Sequence, residues 1–75
     1  MADLQISLTG AEALVLFEWL SQLEEMDSPP FADPSERTVA WRIHGQLESV
    51  LREPLAPDYY ELLARARQEV QENVD

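Results

Sequence analysis

Residues 8–27, the longest apolar segment of the chain, have the spacing of an amphipathic helix. Thr9 and Glu12 form the sequence pattern of a capping box at its start. We predict a helix over residues 10–26 as the central element, with Leu14 an apolar exception on its polar face. At 100° per residue the apolar arc is about 200° wide, enough for two helices or for one helix and a partner. The arc comprises Ala13, Val15, Leu16, Phe17, Trp19, Leu20, Leu23 and Met26.

Two further helices are predicted over residues 34–53 and 58–73, after proline-containing breaks in the pattern. Asp33 and Asp58 stand at the N-cap position of each, and Phe31 in the first linker is expected to plug the core. The apolar stripes are Val39, Ala40, Ile43, Leu47, Val50 and Leu51 on the second helix, and Tyr59, Leu62, Leu63, Ala66, Val70 and Val74 on the third. The predicted fold is all-α, a single compact three-helix domain over residues 1–75.

The N-terminal segment, about residues 4–8, alternates apolar and polar side chains in the manner of a short strand. A lone strand leaves its own backbone groups unpaired, so it needs a neighbour. Three arrangements fit this segment. It pairs with its own copy in a dimer, it joins the sheet of a partner, or it lies as an arm over the helices and its apolar side chains complete the core.

The chain is strongly acidic, and its negative charge is unevenly distributed. The net charge is −10, and the 75 residues contain no lysine. Residues 1–36 carry −8 and residues 37–75 carry −2. Direct binding to nucleic acid or to an anionic membrane surface is not expected, because both demand a basic face. A basic protein would be attracted, although an acidic excess also serves solubility alone.

Four acidic residues are candidate contacts with such a partner. Glu24, Glu25 and Asp27 are predicted at the C-terminal end of the first helix, where the helix dipole is negative and no Lys or Arg is nearby. Glu18 belongs to the polar face of the same helix. A locally unfavourable charge without compensation points to function, and the alternative is a solvated, frayed helix end.

The second helix adds two candidate contacts. Trp41 lies off the apolar stripe, four residues after Arg37, and a Trp beside an Arg is typical of an interaction hot spot. The alternative is that Phe31 and the linker cover Trp41. His44, at the edge of the stripe, is expected to be a packed or half-exposed residue.

No motif for catalysis, metal binding or cofactor binding is present, and one His without any Cys gives no arguable nucleophile arrangement. We predict no enzyme and no cofactor. The N-terminus lacks the basic start of a signal peptide, and the apolar run is too short to span a bilayer, so we expect a cytoplasmic protein.

The predicted function is a small acidic protein–protein interaction module. Its sharpest form is a stoichiometric inhibitor of a basic partner, as in an antitoxin, an immunity protein or an anti-defence protein. The alternative is an obligate homodimer or accessory subunit that associates through Leu4, Ile6, Leu8 and the first helix.

Overall fold

A computed structural model describes residues 1–73 and contains three α-helices. These are α1 (Gly10–Glu25), α2 (Pro34–Val50) and α3 (Tyr59–Glu72), with a 3₁₀ turn at Glu53–Leu55 between α2 and α3. The predicted all-α, three-helix fold is therefore confirmed. Val74, which we predicted on the apolar face of the third helix, lies outside the described residues.

Two of the three predicted helix caps form. The amide of Glu12 donates to Thr9 Oγ1 (3.1 Å), and the amide of Thr9 donates back to Glu12 Oε1 (2.8 Å). The amide of Ser35 donates to Asp33 Oδ2 at 2.8 Å. The predicted side-chain cap at Asp58 is wrong, because φ −102° and ψ 31° depart from the extended backbone of a capping residue.

The second helix ends three residues earlier than predicted, at Val50. Leu51 adopts extended backbone angles (φ −82°, ψ 137°), and its amide still donates to the carbonyl of Leu47. This change of direction lets the Leu51 side chain pack against both hydrophobic clusters of the core. The chain then enters the 3₁₀ turn, whose Pro54 would in any case have ended a helix.

Helix α1 is the centre of the fold and packs on one side against α2 and on the other against α3. The two interfaces form separate hydrophobic clusters, so the prediction of a central first helix with two neighbours is confirmed. The buried residues of the α1–α2 cluster are Phe17, Leu20, Leu23 and Leu47, with Phe31 packed against them as predicted. Those of the α1–α3 cluster are Leu14, Leu63 and Ala66.

The buried face of α1 is rotated relative to the predicted one. Leu14, expected on the polar face, is only 3% exposed, because α3 packs against it. Trp19, expected in the apolar arc, is 56% exposed. The periodicity of α1 locates an apolar arc, but the side on which α3 docks decides which part of it is covered.

The apolar stripe of α2 is also covered only in part. Leu47 is buried and Ala40 and Leu51 pack against the core, whereas Val39, Ile43 and Val50 are exposed. The reason is the position of α3, whose main interhelix packing is with α1. The exposed residues lie within about 40° of one another on α2, so they form one apolar edge.

The N-terminal residues form neither a helix nor a strand in the described part of the chain. Leu4 is 87% exposed, and Ile6 is exposed as well. The expectation that this segment completes the core is therefore wrong. The two arrangements that require a second chain stay predictions.

Candidate partner-binding surface

The C-terminal end of α1 and the first half of α2 enclose a depression of about 310 Å³. We call it the acidic–aromatic depression. It brings together four of the six predicted contact residues, two from each side. Its lining residues are Leu23, Glu24, Met26, Asp27, Pro29, Phe31, Arg37 and Trp41.

The aromatic wall of this depression is organised by Arg37. Its guanidinium carbon lies 5.4 Å from the centre of the Trp41 ring and 5.9 Å from that of Phe31, both within the range of cation–π attraction. The cation thus lies close to both rings. Trp41 stays 50% exposed, so the linker does not cover it as the alternative required.

The acidic wall carries charge that the arginines leave unpaired. Within residues 1–73, no arginine forms an ion pair with a carboxylate, and the basic side chain that lies close to carboxylates is His44. Glu24 and Asp27 are both exposed, and the last turn of α1 contains no basic residue. The carboxylates therefore add to the negative end of the helix dipole, as predicted.

His44 of α2 is the group that approaches this helix end, an arrangement the sequence pattern did not indicate. Its ring stacks on Phe17 (centroids 4.6 Å apart, planes at 14°), and Nε2 lies 2.8 Å from Ser21 Oγ. Nδ1 lies 3.5 Å from Glu24 Oε1 and 4.0 Å from Glu48 Oε2. One sequence signal for this contact was available. Ser21 and Glu24 lie three residues apart on α1, and His44 is a polar residue at the edge of the apolar stripe of α2.

Ser21, His44 and Glu24 have the residue types of a hydrolase triad, but their local structure does not suit nucleophilic catalysis. The Ser21 hydroxyl lies 3.0 Å from the carbonyl of Phe17, to which it donates its single proton. A Ser21 hydroxyl that donates to this carbonyl is not free to donate to His44 Nε2, as an activated nucleophile must. Ser21 also lies in the middle of α1, where neighbouring amides are used in the helix and cannot form an oxyanion hole.

The other two predicted contacts, Glu18 and Glu25, lie outside the depression. Glu18 is half-buried and already has two partners, since Tyr59 Oη donates to it at 2.7 Å and Gln22 Nε2 at 3.0 Å. Burial and this hydrogen bond to a carboxylate raise the pKa of Tyr59 above its ordinary value. Glu18 therefore ties α1 to α3, and Glu25 is exposed on the polar face of α1.

This link predicts a specific titration behaviour. In the Y60F variant, Tyr59 is the only tyrosine. Its tyrosinate absorbance should appear at a pH above that of a free tyrosine, because burial disfavours the charged form and ionisation would place a second negative charge beside Glu18. Adding Glu18→Gln should move the transition partway back, with burial accounting for the remainder. An ordinary tyrosine titration in the Y60F protein would contradict the Tyr59–Glu18 contact.

A second concave region lies between α1 and α2, and we call it the α1–α2 groove. Its volume is about 420 Å³, and it adjoins the acidic–aromatic depression through Leu23 and Phe31. Trp19 (56% exposed) and Val39 (55% exposed) stand on its opposite sides. The groove is lined by Trp19, Leu20, Leu23, Pro30, Phe31, Ser35, Glu36, Val39 and Ala40.

Comparison of the chain with protein-family models, with curated proteins and with solved structures finds no match. Among the residues that the structure describes, no cluster of three or more His, Asp or Glu side chains is placed to hold a metal ion. None of the helices in the described range has the length and apolar character needed to cross a membrane.

Proposed function

We propose that this protein is an acidic, non-catalytic interaction module that binds a basic protein stoichiometrically in the cytoplasm. An antitoxin, an immunity protein and an anti-defence protein all act in this way. The observation that carries the proposal is the acidic–aromatic depression, where exposed carboxylates and a half-exposed tryptophan lie side by side.

Electrostatics supports a basic partner. Glu24 and Asp27 repel the negative end of α1, so a cation from outside would relieve an unfavourable interaction as well as form a new one. The −8 charge of residues 1–36 extends this field beyond the depression and would accelerate encounter with a basic surface. Glu18 and Glu25 contribute to the field without lining the depression.

The aromatic wall supports a specific contact beyond long-range attraction. Tryptophan and arginine are the residue types most often found at interaction hot spots. Arg37 holds the Trp41 ring from one side, so less side-chain entropy remains to be lost on binding. Trp41 is therefore proposed as the anchor and the carboxylates as the orienting contacts.

Capture of partners from the native lysate, followed by purification of the complex, tests the proposal. We expect a basic partner in a 1:1 complex by light scattering, with affinity that falls steeply as salt increases. The double variant Glu24→Gln/Asp27→Asn should weaken binding about tenfold or more, and Trp41→Ala by a similar factor.

The control removes the same charge from α3, as Glu61→Gln/Glu72→Gln, far along the chain from the depression. It should leave affinity nearly unchanged. Equal losses of affinity in the two double variants would show that net charge alone matters. A captured partner with an acidic surface would contradict the proposal.

A homodimer or accessory subunit is the second candidate, because the fold leaves large apolar side chains exposed at Leu4, Ile6 and Leu8. A small core that exposes such residues would gain stability by association. Light scattering over a dilution series distinguishes the two. A monomer at low micromolar concentration excludes an obligate dimer, and a dimer lost in Leu4→Asp/Ile6→Asp supports one.

A further inference from the structure

The α1–α2 groove is apolar at its base and walls, and its open edge continues along α2. Leu20 and Leu23 form its base from α1, with Trp19 and Val39 on either side. Ile43, one turn after Val39, is exposed in the same direction and extends the apolar edge beyond the groove.

The surroundings of the groove are acidic. All its lining residues come from residues 19–40, a stretch with five acidic residues and one arginine. Glu36 lines the groove itself, and Glu24 and Asp27 line the depression that adjoins it. The arginine is Arg37, which faces the rings of Phe31 and Trp41. A ligand that lies in the groove therefore meets apolar contacts below and carboxylates at the rim.

We propose that the α1–α2 groove binds an amphipathic basic helix of the partner protein. The apolar side of such a helix offers anchors at i, i+3 or i+4, and i+7, which suit an elongated cleft between two helices. Its Lys and Arg side chains would extend to the acidic rim. The inference rests on the proposed function in taking the partner to be basic, and it adds the secondary structure and the docking position.

Charge complementarity selects this occupant over a second copy of the chain. Each copy carries −10, and the groove would place two acidic rims in contact. Like charges at an interface disfavour association, whereas a basic helix neutralises the rim on entering. The exposed tryptophan adds a rigid aromatic wall of the kind that apolar anchors pack against.

A synthetic helix provides the probe. We choose a peptide of about 18 residues, with Leu on one face and Lys on the other. Two controls accompany it: a scrambled peptide of the same composition, and an amphipathic peptide with Glu in place of Lys. Because the chain has two tryptophans, the W41F variant makes Trp19 the only fluorescent tryptophan and reports where the peptide lies. Calorimetry on proteins that keep Trp41 measures the affinities.

We expect the Leu/Lys peptide to shift the Trp19 emission to shorter wavelength in a saturable 1:1 titration. Val39→Glu should weaken the binding of that peptide at least tenfold, even though the substitution makes the protein more acidic. Leu55→Glu adds the same charge at a residue 91% exposed outside the groove, and it should leave affinity unchanged or slightly improved.

Four results would overturn the proposal. Equal binding of the scrambled peptide would reduce the interaction to charge attraction. An unchanged affinity in Val39→Glu would place the peptide elsewhere, and a dimer abolished by Val39→Glu would make a second copy the occupant. If Val39→Glu leaves capture of the lysate partner intact while Glu24→Gln/Asp27→Asn abolishes it, the groove inference fails and the proposed function stands.

Discussion

Replacing Leu14 by alanine is expected to lower the free energy of unfolding by about 2–5 kcal/mol. Leu14 is 3% exposed and packs with Leu63 and Ala66 between α1 and α3. A core of this size stabilises a small domain by roughly 3–5 kcal/mol in total. The variant should therefore be largely unfolded under mild conditions, as measured by urea denaturation followed by far-ultraviolet circular dichroism.

The matched control is Leu55→Ala, which removes the same atoms from a side chain 91% exposed. Its effect should stay within about 0.5 kcal/mol. Leu63→Ala is expected to match Leu14→Ala, and the double variant should lose less than the sum, because both changes open one cavity. A Leu14→Ala protein as stable as the control would mean that α3 does not dock on this face of α1.

Replacing His44 by alanine is the second large expected effect, a loss of about 2 kcal/mol in the free energy of unfolding. Part of the loss is the stack on Phe17, which contributes about 0.5–1.5 kcal/mol beyond simple burial. The remainder is the hydrogen bond with Ser21, worth about 1 kcal/mol. Thermal and urea unfolding at neutral pH measure the sum.

His44→Phe separates the two contributions, since it keeps an aromatic ring on Phe17 and removes both ring nitrogens. The Ser21 hydroxyl keeps its bond to the Phe17 carbonyl, so no buried group is left without a partner. We expect this variant to recover more than half of the loss. A His44→Phe protein no more stable than His44→Ala would assign the stabilisation to the polar contacts with Ser21 and Glu24.

Much of the fold follows from local sequence signals. Thr9 with Glu12, and Asp33 with Pro34, start helices because a cap depends on side chains within three or four residues of the amides that they satisfy. The central position of α1 follows from its wide apolar arc. Asp58 carries the same signal and fails, because it lies in a turn in which the amide of Tyr59 donates to the carbonyl of Ala56, and its backbone is not extended.

The candidate site was predictable only in part. The excess of negative charge at the end of α1 and the off-stripe position of Trp41 identified Glu24, Asp27, Arg37 and Trp41, which the fold brings into one depression. Glu18 was predicted as a contact because it belongs to the polar face of α1. It faces Tyr59 instead, because α3 crosses that side of α1, a contact between residues 41 positions apart in sequence.

Helix number, helix starts and charge asymmetry are properties of the chain itself, since each depends on residue type and spacing over a few turns. The burial of Leu14, the exposure of Trp19 and Val39, and the contact of His44 with the end of α1 depend on how whole helices dock. Helical periodicity defines an apolar arc but not which neighbour covers each part of it. The packing of α3 against α1 buries Leu14 and leaves the α1–α2 groove open.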